Sequence, residues 1–312
     1  MNLFLRSIGF KGYSAEDEDA LIRRVISAGI KSGRIFRNDK HGRAMIMYGT
    51  GVSAGIAVYG RMVKDRFVYD THFPYLFTNR SVNEKEIVVF RNLMSEGFCA
   101  VSEGSRNTPH MFHVSNPLDL LFEIDHQRAE DDPDYEAEGE GALRHVVLKD
   151  VNVSYSGMAV AASVLLAAYD KHKYFRSTDA DAKKLPYTET SDEHTDRLPQ
   201  GNGGGVSIIN TPAREDGRAV SNVKRAERED ILSIVDTHFY PGGHTGDSFV
   251  VLGNITGMRE EENIITGQTF YIVTIQADNE TFDVAVNTAD VIGEPRVGRR
   301  FNARMWLHGY VR

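Results

Sequence analysis

A long stretch with almost no large apolar side chains divides this chain and limits what it can fold into. Residues 176–217 consist mainly of Asp, Thr, Ser, Gly, Pro and charged residues. Such a composition buries too little apolar surface to offset the loss of conformational entropy on folding. The sequence therefore predicts a flexible linker between two folded parts, residues 1–175 and residues 218–312.

The first part begins with a well-marked helix pattern. Ser14 can accept hydrogen bonds from the first free backbone amides, and acidic residues follow it at the positive end of the helix. Gly29 is a suitable residue to end the helix. The apolar stripe of this helix consists of Leu21, Ile22, Val25 and Ile26.

A second helix is predicted over residues 83–97, with Asn83 as its N-cap and Gly97 as its end. Its apolar stripe would contain Ile87, Phe90 and Met94. Short runs with strand character surround the two helices, which predicts an α+β domain, mixed α and antiparallel β. Residues 129–141 are predicted to form a solvated acidic loop. Residues 158–171 fit a helix or a strand equally well. The strand-like runs are residues 43–49, 54–60, 66–73, 98–104 and 110–115.

The second part is predicted to contain a lead-in helix over residues 222–236 and then several alternating strands. The strands cover residues 248–263, 269–277 and 281–287, and a final stretch of alternation covers residues 299–311. Three meandering strands, a crossover and a closing strand predict a small OB-like Greek-key β-barrel.

Several phrases of the sequence resemble a known family. They are "SIVDTHFYP", "VLGNITGMREEENIITGQTFY", "FDVAVNTADVIGEPRVGRRF" and "WLHG", together with the opening "FLRSIGF". The resemblance is to an uncharacterised bacterial family, a domain of unknown function found in anaerobic Firmicutes. It is close over residues 218–312 and the first dozen residues, and it implies no known activity and no catalytic residues.

Charge and cysteine content exclude several classes of function. The net charge of -8 is spread unevenly, and residues 231–312 contain six Lys and Arg against ten Asp and Glu. Tight nucleic-acid binding therefore lacks its main electrostatic driving force. Cys99 is the only cysteine, so an intrachain disulfide and a multi-thiolate metal site are excluded, and its apolar neighbours predict a buried thiol.

The longest apolar run, residues 157–169, is too short to span a bilayer, and the first ten residues lack the features of a signal peptide. We therefore expect a cytoplasmic protein without a membrane partner.

A glycine-rich stretch gives the best case for an enzyme. Gly49, Gly51 and Gly55 follow an apolar run, and Asp70 comes about twenty residues later, as in a dinucleotide-binding fingerprint. The residues after Gly55 have strand rather than helix character. The stretch is therefore better explained as a β-hairpin with a glycine-rich turn.

Residues 236–247 contain the best candidates for a metal site. Asp236 and His238 would share one face of a strand, and His244 and Asp247 could fold back from the loop. Pro241 and Gly242 favour a type II turn, however, so we expect a turn without a metal.

Two further patterns concern aromatic and basic residues. Arg304 and Trp306 would share one face of the last strand, where OB-like barrels stack bases. His110 and His113 would point to opposite sides of a strand and could not share a ligand.

The sequence thus favours a non-enzymatic binding or scaffolding protein with no cofactor. A nucleotide-dependent enzyme that uses Gly49, Gly51 and Gly55 is one alternative. Weak single-stranded nucleic-acid binding by the C-terminal part is another. A protein partner or a homo-oligomer stays open.

Overall fold

The computed structural model describes residues 2–64, 66–78, 83–91, 97–104, 108–131, 145–165, 237–242 and 246–312. The predicted linker, the lead-in helix and most of the acidic loop lie outside these residues. So do Asp236 and His244, two of the four candidate metal ligands. The predicted domain boundaries at residues 175 and 218 also lie outside the described residues.

The first helix, α1 (Ala15–Ser32), begins as the sequence predicts. Ser14 accepts a hydrogen bond from the Asp17 amide at 3.2 Å, and the Asp17 carboxylate accepts one from the Ser14 amide at 2.9 Å. The helix ends at Gly33, where φ is 67°, and not at Gly29 as predicted. Gly29 instead lies inside the helix, where its missing side chain makes room for Ile46 of the underlying sheet.

That sheet has four antiparallel strands in sequential order, β1 (Ile35–Asn38), β2 (Arg43–Gly49), β3 (Ala54–Val63) and β4 (Arg66–Leu76). The predicted hairpin is confirmed, because β2 pairs with β3 and Gly49 lies opposite Gly55. A β-carbon on Gly55 would collide with the backbone oxygen of Tyr48, so only glycine fits at this position.

The second predicted helix is wrong, because residues 83–91 form a strand, β5 (Asn83–Arg91). Ile87 and Val89 are buried while Glu86 and Val88, which alternate with them, are more exposed, which is the period of two that a strand requires. The β-branched run Ile87, Val88 and Val89 favours this conformation locally. Pairing with strands on both sides then outweighs the helix-capping pattern at Asn83.

The remaining strands join β5 in a ten-stranded sheet that contains both antiparallel and parallel pairs. The part of the chain that the structure describes is therefore mostly β with few helices, which confirms the predicted mixture of helix and antiparallel strand at this coarser level. The remaining elements of this part are β6 (Phe98–Glu103), β7 (Pro109–Val114), α2 (Pro117–Asp131), β8 (Val146–Leu165), β9 (His238–Pro241), β10 (Ser248–Glu262), β11 (Thr269–Ala277), β12 (Glu280–Asn287), β13 (Val291–Ile292) and β14 (Arg300–Val311).

Strand β8 connects the two predicted parts of the chain. It resolves the ambiguous stretch as a strand as far as Leu165, and it pairs with β5, β12 and β14. The strands predicted for the C-terminal part lie where expected. Each pairs with the next in the order β14, β10, β11 and β12, and β8 pairs with both the first and the last of them. The described residues of Met1–Leu165 and Thr237–Arg312 therefore form one compact unit.

Helix α2 was not predicted, and it is held by the last strand. Asn116, just before the helix, donates to the carbonyl of Val311 and accepts from its amide at 2.9 Å. Pro117 occupies the first helical position, where a missing amide hydrogen costs nothing. Among the helices of the described ranges, none combines the length and apolarity needed to cross a membrane.

Candidate functional site

The glycine-rich turn between β2 and β3 contacts a carboxylate of the protein itself. The Ser53 amide donates to Glu261 Oε2 at 3.0 Å, and the Ser53 hydroxyl donates to Glu261 Oε1. Arg259 donates to the same carboxylate at 3.1 Å. Burial alone would raise the pKa of Glu261, but the hydrogen bonds from Ser53 and Arg259 outweigh it and lower the pKa.

The structure thus places Gly49, Gly51 and Gly55 in a hairpin turn that is followed by a strand. A dinucleotide site requires a helix N-terminus at that point. A β-carbon on Gly51 would lie 2.9 Å from Glu261 Oε2, so this glycine makes room for the internal carboxylate.

Asp70 is not brought close to these glycines. Tyr75 lies opposite Gly55, and Asp70 is five residues further along β4, which corresponds to about 16 Å. Its carboxylate accepts from Arg43 at 2.5 Å and lies 3.3 Å from Arg61. Asp70 therefore joins neighbouring strands of the four-stranded sheet.

The contact between the turn and Glu261 gives a direct test of the turn's structural role. We expect Glu261→Ala to lower the free energy of unfolding by about 2 kcal/mol, because it leaves hydrogen-bond donors of Ser53 and Arg259 without their acceptor. Urea denaturation at pH 7 measures this loss. The exposed neighbour Glu262 provides the control, since Glu262→Ala is expected to change stability by less than about 0.5 kcal/mol. Equal losses in the two variants would contradict the assignment.

Of the candidate metal ligands, the structure describes His238 and Asp247. His238 on β9 lies opposite Leu252 on β10. Leu252 follows Asp247 by five residues along the chain, so His238 and Asp247 are about 16 Å apart. Within the described residues, no three His, Cys, Asp or Glu side chains are close enough to hold a metal ion. Of the two glycines of this loop that the structure describes, Gly246 has a positive φ, 75°, and Gly242, where the type II turn predicted one, does not.

The side chains of Arg304 and Trp306 make contacts within the protein. Trp306 donates to Asp247 at 2.7 Å, and its ring packs against Phe4 with a centroid distance of 5.1 Å. Arg304 is exposed and donates to the carbonyl of Gly242. The indole ring is thus largely covered by the 3-10 helix Leu3–Ile8 and by neighbouring rings.

A polar groove that the sequence did not indicate lies where β5 begins, β6 ends and β12 begins. It is an open cavity of about 760 Å³, a size typical of sites for small molecules. Its polar lining residues include Asn83, Lys85, Ser102, Glu103, Asn279 and Glu280.

The floor of this groove carries a buried ion pair. Lys85 Nζ donates to Glu280 Oε1 at 2.8 Å, and the two side chains are 10% and 8% exposed. Asn83 donates to the second carboxylate oxygen at 3.0 Å. The Lys85 ammonium also lies over the ring of Tyr155, 5.0 Å from its centroid.

Ser102 of the groove lining, a tyrosine and a histidine lie beside this ion pair. Ser102 Oγ and Tyr155 Oη share a hydrogen bond of 2.5 Å. Burial raises the pKa of Tyr155. Burial, with a smaller contribution from the Lys85 ammonium, lowers the pKa of His110 to about 4. Both side chains are therefore neutral at pH 7. Neither ring nitrogen of His110 has a hydrogen-bond partner in the described part of the chain.

A second group of histidines lies on the opposite face of β7, as strand alternation predicts. His113 packs edge-on against Phe73 of the four-stranded sheet, with a centroid distance of 4.4 Å. His308 is its neighbour on β14, 5.1 Å away, and receives or donates one hydrogen bond with Ser115. Burial lowers the pKa of His113 to about 3 and the pKa of His308 well below its ordinary value. The predicted burial of Cys99, opposite His113, is confirmed.

A family model extends the resemblance of the opening and closing segments to nearly the whole chain. The model described as "Domain of unknown function, E. rectale Gene description (DUF3881)" matches residues 5–309. The chain belongs to this family. This membership confirms the resemblance to an uncharacterised bacterial family. The matched range includes all the residues that line the groove. Neither the curated proteins nor the solved structures contain a match to the chain.

Proposed function

We propose that this protein binds a small polar molecule in the groove between β5, β6 and β12. The observation that carries the proposal is the buried Lys85–Glu280 ion pair at the floor of an open cavity. Concave sites with a few convergent polar groups are the usual form of a ligand site.

The energetics of the ion pair support a binding role. Two charges removed from water contribute little net stability compared with apolar side chains of similar volume. Here Asn83 and the Tyr155 ring provide further partners, so the charges are held in fixed positions beside the open space. Side chains that are already held in fixed positions lose little conformational entropy when a ligand binds.

The neighbouring titratable groups favour binding over catalysis. A general acid or base works best when its pKa lies near the working pH. Burial raises the pKa of Tyr155 and lowers the pKa of His110 to about 4, so neither group exchanges a proton readily at pH 7. Both instead provide neutral hydrogen-bonding atoms close to the groove.

A variant that fills the groove tests the proposal. Val88 lines the groove and is half-buried, so Val88→Trp places a large ring in the space that the ligand would use. Val68→Trp is the matched control on an exposed position of the four-stranded sheet. We expect compounds from a charge-balanced library of small metabolites to raise the Tm of the wild type and of Val68→Trp by about 2 °C or more, and to leave Val88→Trp unchanged.

Two results would overturn the proposal. In the first, no compound of the library stabilises the wild type, and in the second, each stabilising compound raises the Tm of Val88→Trp by the same amount. Urea denaturation of both variants without ligand checks that they are folded.

A further inference from the structure

We propose that Tyr69 is a reactive nucleophile, and that its hydroxyl takes up an acyl group from an uncharged activated ester. This activity goes beyond ligand binding in the groove and involves none of the residues that line the groove. It is carried by a row of three side chains on β4 and α1, namely Tyr69, His72 and Glu18.

The three side chains form a chain of close polar contacts. Tyr69 Oη lies 2.8 Å from His72 Nδ1, and His72 Nε2 lies 3.1 Å from Glu18 Oε1. The Glu18 carboxylate is itself held by the backbone amide of Asn2, which donates to both carboxylate oxygens at 2.9 Å. A hydroxyl beside a base that a third group orients is the arrangement by which proteins activate nucleophiles.

A β-bulge in β4 brings Tyr69 and His72 together. On a regular strand, side chains three residues apart point to opposite faces of the sheet. In β4, Tyr69 and Thr71 lie opposite consecutive residues of β3, so Asp70 is an extra residue between them. The extra residue places Tyr69 and His72 on the same face, where their hydrogen bond forms. Bulges often re-aim side chains in this way beside functional sites.

The hydroxyl of this row is accessible, and the base behind it is not. Tyr69 is 44% exposed, whereas the side chains of His72 and Glu18 are 10% and 8% exposed. A substrate can therefore reach the phenol oxygen, while water has little access to the imidazole and the carboxylate.

The protonation states suit an attack that a base assists. Burial lowers the pKa of His72, and the Glu18 carboxylate only partly offsets this effect, so the ring is neutral at pH 7. The carboxylate favours a proton on Nε2, which leaves the lone pair of Nδ1 to accept the Tyr69 hydroxyl. Burial and the carboxylates of Glu18 and Asp19 raise the pKa of Tyr69. The phenol therefore does not ionise by itself at pH 7 and needs the base during the attack.

The acylation step follows from this arrangement. Tyr69 Oη attacks the carbonyl carbon of the ester, and its proton passes to Nδ1 of His72 as the new C–O bond forms. The bond between the carbonyl carbon and the leaving oxygen then breaks, and the leaving group receives that proton and departs as an alcohol. Glu18 stabilises the imidazolium that exists between the two proton transfers. The products are an acyl ester of Tyr69 and the free alcohol.

The charge around the phenol selects the acyl donor. The negative charges of Glu18 and Asp19 act on the Tyr69 hydroxyl. They repel an anionic donor such as an acyl phosphate, whereas an uncharged ester approaches without this repulsion.

Acetylation of the full chain by p-nitrophenyl acetate, followed by mass spectrometry of its peptides, tests the proposal. Tyr240 is a matched internal control, because it is 45% exposed and its ring lies 5.0 Å from the ring of His238. Within the described residues, no histidine accepts a hydrogen bond from Tyr240. We expect native Tyr69 to react about 100-fold faster than Tyr240, since general base catalysis contributes roughly 10²–10⁴ in rate. In urea the two tyrosines should react equally fast.

A second donor tests the class of substrate. Acetyl phosphate delivers the same acyl group but carries negative charge. We expect the ratio of the Tyr69 rate to the Tyr240 rate to be about tenfold smaller with acetyl phosphate than with p-nitrophenyl acetate.

Two histidine variants identify the base. His72→Ala should reduce the acetylation rate of Tyr69 about 100-fold and leave the rate of Tyr240 unchanged. His238→Ala is the control and should change neither rate. Urea denaturation checks that both variants are folded.

Glu18 acts through His72 and is a positioning residue, which a pH profile can show. The reaction of Tyr69 requires a neutral His72, so its rate falls as the pH drops through the pKa of this histidine. Glu18→Gln removes a negative charge that raises this pKa and should move the acidic limb of the profile to lower pH. A loss of structure alone would lower the rate by the same factor at every pH.

Equal acetylation of Tyr69 and Tyr240 in the native wild type, or an unchanged rate at Tyr69 in folded His72→Ala, would show that Tyr69 is not an activated nucleophile. A larger ratio with acetyl phosphate than with p-nitrophenyl acetate would show that the donor class is wrong. None of these measurements involves Val88→Trp, so this proposal and the binding function of the groove fail independently.

Discussion

Lowering the pH from 7 to 5 is expected to reduce the free energy of unfolding by about 2 kcal/mol for each of His110 and His113. Burial lowers their pKa values to about 4 and about 3 in the folded protein, whereas an unfolded histidine has a pKa of about 6.5. The unfolded chain therefore binds protons first as the pH falls. This stability is fully present above about pH 6.5 and is lost progressively between about pH 6.5 and the folded pKa values.

Urea denaturation at pH 7, 6 and 5 measures this loss. Glu261 and Asp290, whose pKa values are lowered in the folded protein, contribute little in this window, because carboxyl groups of the unfolded chain bind protons mainly below about pH 5. His113→Phe should reduce the pH-dependent loss by about 2 kcal/mol, since phenylalanine suits the aromatic surroundings and binds no proton. The exposed His126 is the control, and His126→Gln should keep the wild-type pH dependence. The same slope in His113→Phe as in the wild type would contradict this account.

The second large effect is expected at the Lys85–Glu280 ion pair. Glu280→Leu leaves the ammonium of Lys85 and the amide of Asn83 without their acceptor, and Lys85→Met leaves a buried carboxylate unpaired. We expect each single variant to lose about 3 to 5 kcal/mol in the free energy of unfolding. The double variant should lose less than the sum by at least about 2 kcal/mol, because no unpaired charge remains.

Equilibrium denaturation of the four proteins in this cycle gives the coupling energy. The same measurements show whether the two predicted parts of the chain unfold together. Lys85 lies on β5 in the first part and Glu280 lies on β12 in the second part. One shared transition is expected because strands of both parts pair within one sheet. Additive losses, or an effect of Glu280→Leu confined to one of two separate transitions, would argue against this coupling.

The sequence alone determined the elements whose signals are local. The capping box at Ser14 and the apolar stripe of α1 lie within a few turns of one helix, so the sequence shows both directly. The alternation of β10, β11, β12 and β14 and the glycine-rich turn at Gly49 are local in the same sense. The position of Gly33 as the end of α1 was missed, because Gly29 offers the same local signal and only its packing against Ile46 separates the two.

The tertiary structure decided which strands pair and therefore where the candidate site lies. Residues 83–91 carry both a helix-capping pattern and a β-branched run, and the neighbouring strands β6 and β8 select the strand. A helix over these residues would not place Asn83 and Lys85 on one face beside a distant carboxylate. The sequence likewise gives no sign that Ser53 and Glu261, which are 208 residues apart, form a hydrogen bond. The chain by itself determined which segments are extended. The joining of Lys85 to Glu280 across 195 residues was decided only by sheet pairing, because the chain between them carries no local signal of which distant strand each will meet.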